Sequence, residues 1–477
     1  MPVDQQRLHR TLNPASIVVV GDKAPNYGWL KRQSNFSGPL YSVQVDPTEI
    51  AAIEALGFTN FTSLDAVPGD IDLLICAVPR NIAPRIVADA VKRGVNGMAM
   101  YTSGFAETGE ADAIELQRRI VEMAHESGLA MVGPNCLGIY NRRMGVKFGD
   151  DQEFGEGGSI AIAGQSGTNT GGLLSGMQRL GIKVGRAISF GNAAVINECD
   201  YLEYFMNDPL TEVVVMYIEG VREGRRFFDL VRQAAKTKPV VLWKGGQTPA
   251  GARAVQSHTA SMASANAVWD ALLRQSNTIG TGTMEETLDV ASVLANTSAP
   301  KGRGVALIGM NGGQAVALSD QFSLAGFQVP QLSEASYTQL AEFFMTVGGS
   351  YRNPFDAAST MRREDDNLQK ILEILAQDGA IDGGVGLELG ARDLETDNAQ
   401  ELDRILELLD GYRKKTGQPI VALMHEQGGG EGGAEAMVRA RKYVGSKGFA
   451  VAPSYARGAA ALGKVVTYFE ERARRGA

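Results

Sequence analysis

Short apolar runs alternate with stretches of helical character along almost the whole chain, the pattern of an α/β protein built on parallel sheets. The first run is Ser16–Val20, and a polar, glycine-containing loop from Gly21 to Gly28 follows it. Further runs fall at Leu40–Val45, Asp72–Val78 and Gly97–Tyr101. The run Asp72–Val78 is nearly continuous in apolar residues, as expected of a strand covered on both faces. A long helix is expected over Glu110–Ser127.

The pattern of residues 1–150 predicts a Rossmann-like domain, with ligand loops at the C-terminal ends of its strands. The segment Asp150–Gly158 is acidic and glycine-rich and reads as a linker. A second α/β block, residues 151–300, has expected strands at Ser159–Ala163, Lys183–Ser189, Glu212–Ile218 and Pro239–Trp243. Thr297–Arg303 reads as a second linker. A third block, residues 301–477, has expected strands near Gly304–Met310, Gly383–Glu388 and Pro419–Met424. The last two blocks open alike, with an apolar strand, a small-residue turn (GQSGTNTGG or GMNGGQAVA) and a helix. They read as two copies of one flavodoxin-like plan.

Composition narrows the class. The chain has 477 residues, of which 44% are hydrophobic and 21% charged, as in a globular protein of about three domains. The net charge of −8 argues against nucleic acid or an anionic membrane as the main partner. Three separated cysteines (Cys76, Cys136, Cys199) form no disulfide framework or zinc-site spacing. The N-terminal residues MPVDQQRLHR lack an apolar signal core, and no apolar run approaches the ~20 residues of a membrane span. The expected compartment is the cytoplasm.

Several motifs carry candidate chemistry, each with a plainer reading beside it. Gly164-Gln165-Ser166-Gly167-Thr168 follows a strand and opens a helix. Such a turn offers backbone N–H groups and a positive dipole end to a phosphate, with Ser166 and Thr168 adding hydroxyls; an ordinary capped turn has the same sequence character. Four histidines occur, and His258 is the one on a small-residue segment before a helix, in Ser257-His258-Thr259-Ala260-Ser261. The preceding stretch, Lys244–Gln256, lacks apolar periodicity and reads as a mobile loop. Neutral imidazole is nucleophilic near pH 7 and can carry a phosphoryl group, whereas a surface loop can also simply contain a histidine. Glu219 ends the run Val213–Ile218, where a carboxylate can fix an imidazole tautomer or merely close a strand in solvent. Gly133-Pro134-Asn135-Cys136 and Ser189-Phe190-Gly191-Asn192 are ligand loops or simple turns. Cys136 and Cys199 read as packing residues. The loop Gly21–Gly28 lacks GxGxxG, which weakens an NAD reading.

These signals occur in one order: GPNCLG at Gly133–Gly138, GQSG at Gly164–Gly167, SFGN at Ser189–Asn192, IEG at Ile218–Gly220, KPVVLWKGG at Lys238–Gly246 and SHTAS at Ser257–Ser261. In that order the chain resembles the NDP-forming acyl-CoA synthetases, including ADP-forming acetate–CoA ligases and the succinyl-CoA synthetase α subunit. The resemblance extends into the third block through its NGG turn, Asn311–Gly313, and its NPFD segment, Asn353–Asp356.

The resemblance implies interconversion of acid, CoA and ATP or GTP with acyl-CoA, ADP or GDP and phosphate, through an acyl phosphate and a phosphohistidine. It implies His258 as the phosphorylated histidine, steadied by Glu219. It implies phosphate or substrate contacts from Ser166, Gly167, Thr168, Gly191 and Asn192. Coenzyme A contacts are implied for Gly21, Lys23, Asn26, Gly28, Val78, Pro79, Tyr101, Thr102, Ser103 and Asn135, and no metal ligand is implied on this chain. The sequence departs from the family pattern in GQSG for SQSG, SHTAS for SHTGS, and Val45-Asp46-Pro47-Thr48 for a VNPK-like segment. Gly171 stands where succinyl-CoA synthetase has a tyrosine in the acid pocket, which argues against assuming succinate. No ATP-grasp segment is recognised after the third block. The expectation is an α-type subunit in an oligomer, with an ATP-grasp β-type partner supplying the nucleotide and Mg2+. A non-catalytic CoA- or nucleotide-binding regulatory protein, and an NAD-linked dehydrogenase, are the competing readings.

Overall fold

The structure is a computed structural model that describes residues 3–259, 266–361, 366–389, 399–425 and 433–476. Its contacts divide the chain into two compact units. One holds residues 1–175 and 183–284, the other residues 176–182 and 285–477.

The first unit contains two six-stranded sheets. The strands of the first are β1 (Ile17–Val20), β2 (Leu40–Val43), β3 (Thr59–Phe61), β4 (Leu73–Cys76), β5 (Gly97–Met100) and β6 (Ala130–Val132). They pair in parallel in the order β3-β2-β1-β4-β5-β6. This is the doubly wound dinucleotide-fold order, which places a ligand crevice beyond the C-terminal ends of β1 and β4, where the order reverses. All four residues of β1 and of β4 are buried, as the continuous apolar runs predict. The helix expected at Glu110–Ser127 spans Ala111–Ser127 and stops at Gly128, whose φ of 70° ends a helix without a Cβ penalty.

The second sheet comprises β7 (Gly138–Asn141), β8 (Ile160–Gly164), β9 (Val184–Ser189), β10 (Val213–Ile218), β11 (Val240–Lys244) and β12 (Ile279–Thr281), in the order β12-β11-β10-β8-β9-β7. Strands β8 to β12 are parallel and follow the flavodoxin order, so the switch point lies between β8 and β10. Strand β7 precedes the Asp150–Gly158 segment yet pairs antiparallel with β9. The sheet thus recruits its edge strand from the segment that follows the first sheet.

In the second unit, β13 (Val305–Gly309), β14 (Phe355–Asp356), β15 (Gly384–Glu388), β16 (Ile420–Leu423) and β17 (Ala450–Ala452) repeat the flavodoxin order as β14-β13-β15-β16-β17. Leu340, Phe355, Leu387 and Leu409 belong to its buried core. Strands β3, β12, β14 and β17 were not expected, because two or three residues are too few to show a period. Among the described residues, no helix is long and apolar enough to cross a membrane.

One expectation is corrected. Lys244–Gln256 is not simply a loop, because residues Pro249–Thr259 form a helix. Thr248 caps it, its hydroxyl accepting from Gly251 N at 3.0 Å, and Pro249 stands at its start with its φ already helical. Alanines at 250, 252 and 254 then favour helix without any apolar stripe, which is why periodicity missed it. His258 is in the last turn of this helix, and its side chain lies outside the described residues.

Candidate active site

The switch point of the second sheet brings together the residues after β8 and β10. The β8–β10 ladder ends at the pair Gly164–Tyr217. Beyond it the Gln165 N–H donates to the Tyr217 carbonyl at 3.2 Å. Ser166 then starts the helix Gly167–Arg179: its Oγ accepts from Asn169 N at 3.3 Å, and its carbonyl accepts from Thr170 N at 2.9 Å. The first N–H groups of a helix have no partner within it, so this turn has donors to offer a ligand. Gly167 packs on Leu137, with Leu137 Cγ 2.9 Å from where a Cβ would stand, which keeps this position small.

Glu219 follows β10 and is 6% exposed. Tyr217, two residues earlier, turns its hydroxyl to the same spot as the Glu219 side chain, since both border Gly245. Burial, then the neighbouring charge of Glu219, pushes the Tyr217 phenol well above its ordinary range, so it keeps its proton. Its ring meets Trp243 edge-on at 4.6 Å. Gly245 leaves room for both groups: a Cβ there would stand 2.6 Å from the Tyr217 oxygen and 3.2 Å from Glu219 Cγ. The sequence singled out Glu219, Ser166, Gly167 and Thr168, which the structure places after β10 and β8 at this switch point, but gave no role to Gln165 or Tyr217. The signal for Tyr217 was its spacing of two from Glu219.

The two Asn-bearing turns meet, and they meet a loop of the first sheet. Asn135 Nδ2 donates to Asn192 Oδ1 at 3.3 Å, and Asn192 N donates to the Pro134 carbonyl at 3.0 Å. Asn192 Nδ2 donates to Glu107 Oε2 at 2.6 Å and to Gln117 Oε1 at 2.9 Å. The Asn192 carbonyl accepts from Arg222 at 2.6 Å. Gly191 is required here, since a Cβ would lie 2.1 Å from the Asn135 carbonyl oxygen. Asn135 N donates to the Thr102 carbonyl at 2.9 Å, which ties the first sheet's ligand edge to this cluster. Glu107 and Gln117 were missed because their partner lies 85 and 75 residues away.

At the first sheet's switch point, Gly21 has φ +84° and packs against Val78, whose Cγ1 is 2.5 Å from where a Cβ would stand. Asp22 is buried; its carboxylate accepts from Lys23 N at 3.1 Å and Leu30 N at 2.8 Å and so shapes the Gly21–Gly28 loop. Lys23, Asn26, Pro79, Tyr101 and Ser103 are exposed around this crevice, while Val78 and Thr102 are buried beneath it. The Thr102 hydroxyl donates to the Val78 carbonyl at 2.7 Å. The crevice is lined by backbone and exposed polar groups, as a phosphate-bearing ligand requires.

The second unit repeats the arrangement by topology. Glu388 ends β15, the neighbour of β13, as Glu219 follows β10, the neighbour of β8. Glu388 is 2% exposed; its carboxylate accepts from Met310 N at 2.9 Å and lies 3.6 Å from His425 Nε2. Asn311 caps the helix Gly312–Leu324, accepting from Gln314 N at 2.9 Å.

Comparison with known proteins matches these regions to families. Residues 16–142 match the CoA binding domain family, and residues 157–294 match the succinyl-CoA ligase like flavodoxin domain family. The α subunit of acetate–CoA ligase [ADP-forming] II from Pyrococcus furiosus is 30% identical over 375 residues, covering 78% of this chain and 80% of that subunit. The chain belongs to the ADP-forming acetate–CoA ligase family. Another member, acetate–CoA ligase [ADP-forming] I of Archaeoglobus fulgidus, is 32% identical over 380 residues. That match covers 79% of this chain and 54% of the relative, so the chain spans about half the length of that ligase. Among solved structures, the dinucleotide-forming acetyl-coenzyme A synthetase 1 of Ca. Korarchaeum cryptofilum, in complex with phosphate and ADP, aligns with a TM-score of 0.81 at 25% identity. The alignment covers 98% of this chain and 97% of that ligase chain.

Proposed function

We propose that this chain is the α-type subunit of an NDP-forming acyl-CoA synthetase. It interconverts acid, CoA and ATP or GTP with acyl-CoA, ADP or GDP and phosphate, through an acyl phosphate and phosphohistidine 258. The observation that carries the reading is the buried Glu219 set beside the Ser166–Thr168 helix start. A carboxylate there accepts one N–H of an imidazole and leaves its other nitrogen basic, while the helix start stabilises the transferred phosphoryl charge. A purely regulatory CoA-binding module has no need of a buried carboxylate at that point.

CoA fits the Gly21–Gly28 crevice. Gly21 and Val78 set a tight floor, and the exposed Lys23 supplies a cation for a phosphate. When bound, CoA supplies the thiol that takes the acyl group. The nucleotide and its Mg2+ belong on an ATP-grasp β-type partner in this reading, in keeping with relatives named as α subunits. The division into a CoA-binding part at 1–150, a phosphohistidine part at 151–300 and a second flavodoxin-like part at 301–477, and a cytoplasmic setting, belong to the same proposal.

The test is incubation of the chain with acetyl-CoA and radiolabelled inorganic phosphate. Wild type should acquire an acid-labile, base-stable phosphate that His258→Ala lacks, and net ATP synthesis should require the ATP-grasp partner. Labelling that survives His258→Ala, or full ATP synthesis by the single chain, would refute the reading.

A further inference from the structure

At the switch point of the second sheet the chains after β8 and β10 leave for different helices, so backbone pairing between them must stop. The last paired residues are Gly164 and Tyr217, and the last backbone hydrogen bond runs from Gln165 N to the Tyr217 carbonyl at 3.2 Å. From there a side chain continues the ladder. Gln165 Oε1 accepts from Glu219 N at 2.5 Å and from Gly220 N at 3.0 Å, and Gln165 Nε2 donates to the Gly220 carbonyl at 2.9 Å. The amide thus acts as one more peptide group, with one acceptor and one donor turned to the neighbouring chain. Gln165 is 7% exposed, so water does not compete for these bonds.

We infer that Gln165 is the positioning residue that fixes Glu219 relative to the phosphate-facing helix start, an inference that rests on the function proposed above. Ser166 is the next residue in the chain, so one residue joins the helix start to the backbone that carries the carboxylate. Few side chains meet the geometry. Asparagine is one methylene shorter, and lysine or arginine brings no acceptor. An ionised glutamate keeps the acceptor but sets a negative oxygen against the Gly220 carbonyl and close to Glu219. A protonated glutamic acid keeps both functions, with C=O accepting and O–H donating.

That last property makes the role testable by pH. The full-length chain is compared as wild type, Gln165→Glu and Gln165→Met, using acetyl-CoA and radiolabelled phosphate from mildly acidic to mildly alkaline pH. Burial raises the pKa of an introduced carboxyl, so Gln165→Glu is a functional mimic at the acidic end. Its labelling rate relative to wild type should fall as pH rises. Gln165→Met, which fills the space without hydrogen bonds, should label about 10- to 100-fold more slowly than wild type, with a ratio independent of pH. CoA affinity should be unchanged in both. Hydrogen exchange at the Glu219 and Gly220 amides should be faster in Gln165→Met, while the rest of β8 and β10 keeps its protection. A Gln165→Met chain that labels like wild type overturns the inference, as does a Gln165→Glu ratio that does not vary with pH. If Gln165→Met does not fold, the Gln165→Glu profile alone decides. A wild-type chain that fails to label overturns the functional reading itself, and this inference with it.

Discussion

The Tyr217 hydroxyl and the Glu219 side chain converge on Gly245: a Cβ there would stand 2.6 Å from the Tyr217 oxygen and 3.2 Å from Glu219 Cγ. The carboxylate thus has as its neighbour a phenol that is itself only 7% exposed. Tyr217→Phe should fold, because the ring and its contact with Trp243 remain. Removing a neutral donor from beside a buried carboxylate, worth about 1.5–3 kcal/mol, predicts about a 10- to 100-fold slower phosphorylation of His258. Glu219→Gln removes the charge as well and should slow labelling by about 100-fold or more, again without unfolding. Quench-flow labelling beside thermal melts checks both, and wild-type labelling by Glu219→Gln would remove its assigned role.

Glu198 gives the stability a pH signature. It is fully buried, Oε1 accepts from Arg222 N at 2.7 Å, and Oε2 has no hydrogen-bond partner among the described residues. Burial raises its pKa above the ordinary 4.5, only partly offset by backbone hydrogen bonds. A raised acid binds more protons folded than unfolded, so its contribution is fully present below pH 4.5 and is lost as pH rises through the folded value. Glu198→Gln keeps an acceptor for Arg222 and cannot ionise. Its melting temperature relative to wild type should therefore rise with pH across that window and level off above it. A difference that stays flat with pH would show that the wild-type carboxyl is not raised.

Gly21 tests the CoA crevice. A side chain there meets Val78 Cγ1 at 2.5 Å and must adopt φ +84°. Gly21→Val should weaken CoA binding by tenfold or more, equivalent to at least about 1.4 kcal/mol, with a destabilisation of about 1–3 kcal/mol. Calorimetry on the whole chain, titrated with CoA and separately with NAD, measures this. A wild-type preference for NAD would sink the assignment.

Arg186 and Asp208 form a buried ion pair at 2.6 Å, with side chains 8% and 5% exposed. Asn13 accepts from Arg186 at 2.8 Å, and Thr211 donates to Asp208 at 2.7 Å. Arg186→Leu strands a buried carboxylate and should cost about 3–5 kcal/mol. Arg186→Leu with Asp208→Leu should cost less than the single change, because no lone charge remains. Urea unfolding of the two variants distinguishes these outcomes.

The run Val213–Ile218 and the turn GQSGT declare themselves in sequence, because burial on both faces demands unbroken apolar residues and a strand-to-helix turn demands small ones. The order of the motifs likewise carried the family. The helix Pro249–Thr259 did not declare itself, since alanine and a proline cap favour helix without a hydrophobic stripe. Nor did Glu107 and Gln117, whose partner Asn192 is brought to them only when the two sheets of the first unit pack. Local chemistry thus specified the strands, the turns and the identity of Glu219 and Ser166. Only the tertiary structure decided that Gln165 joins them, because two strand ends separated by some 54 residues become neighbours solely through the strand order of the sheet.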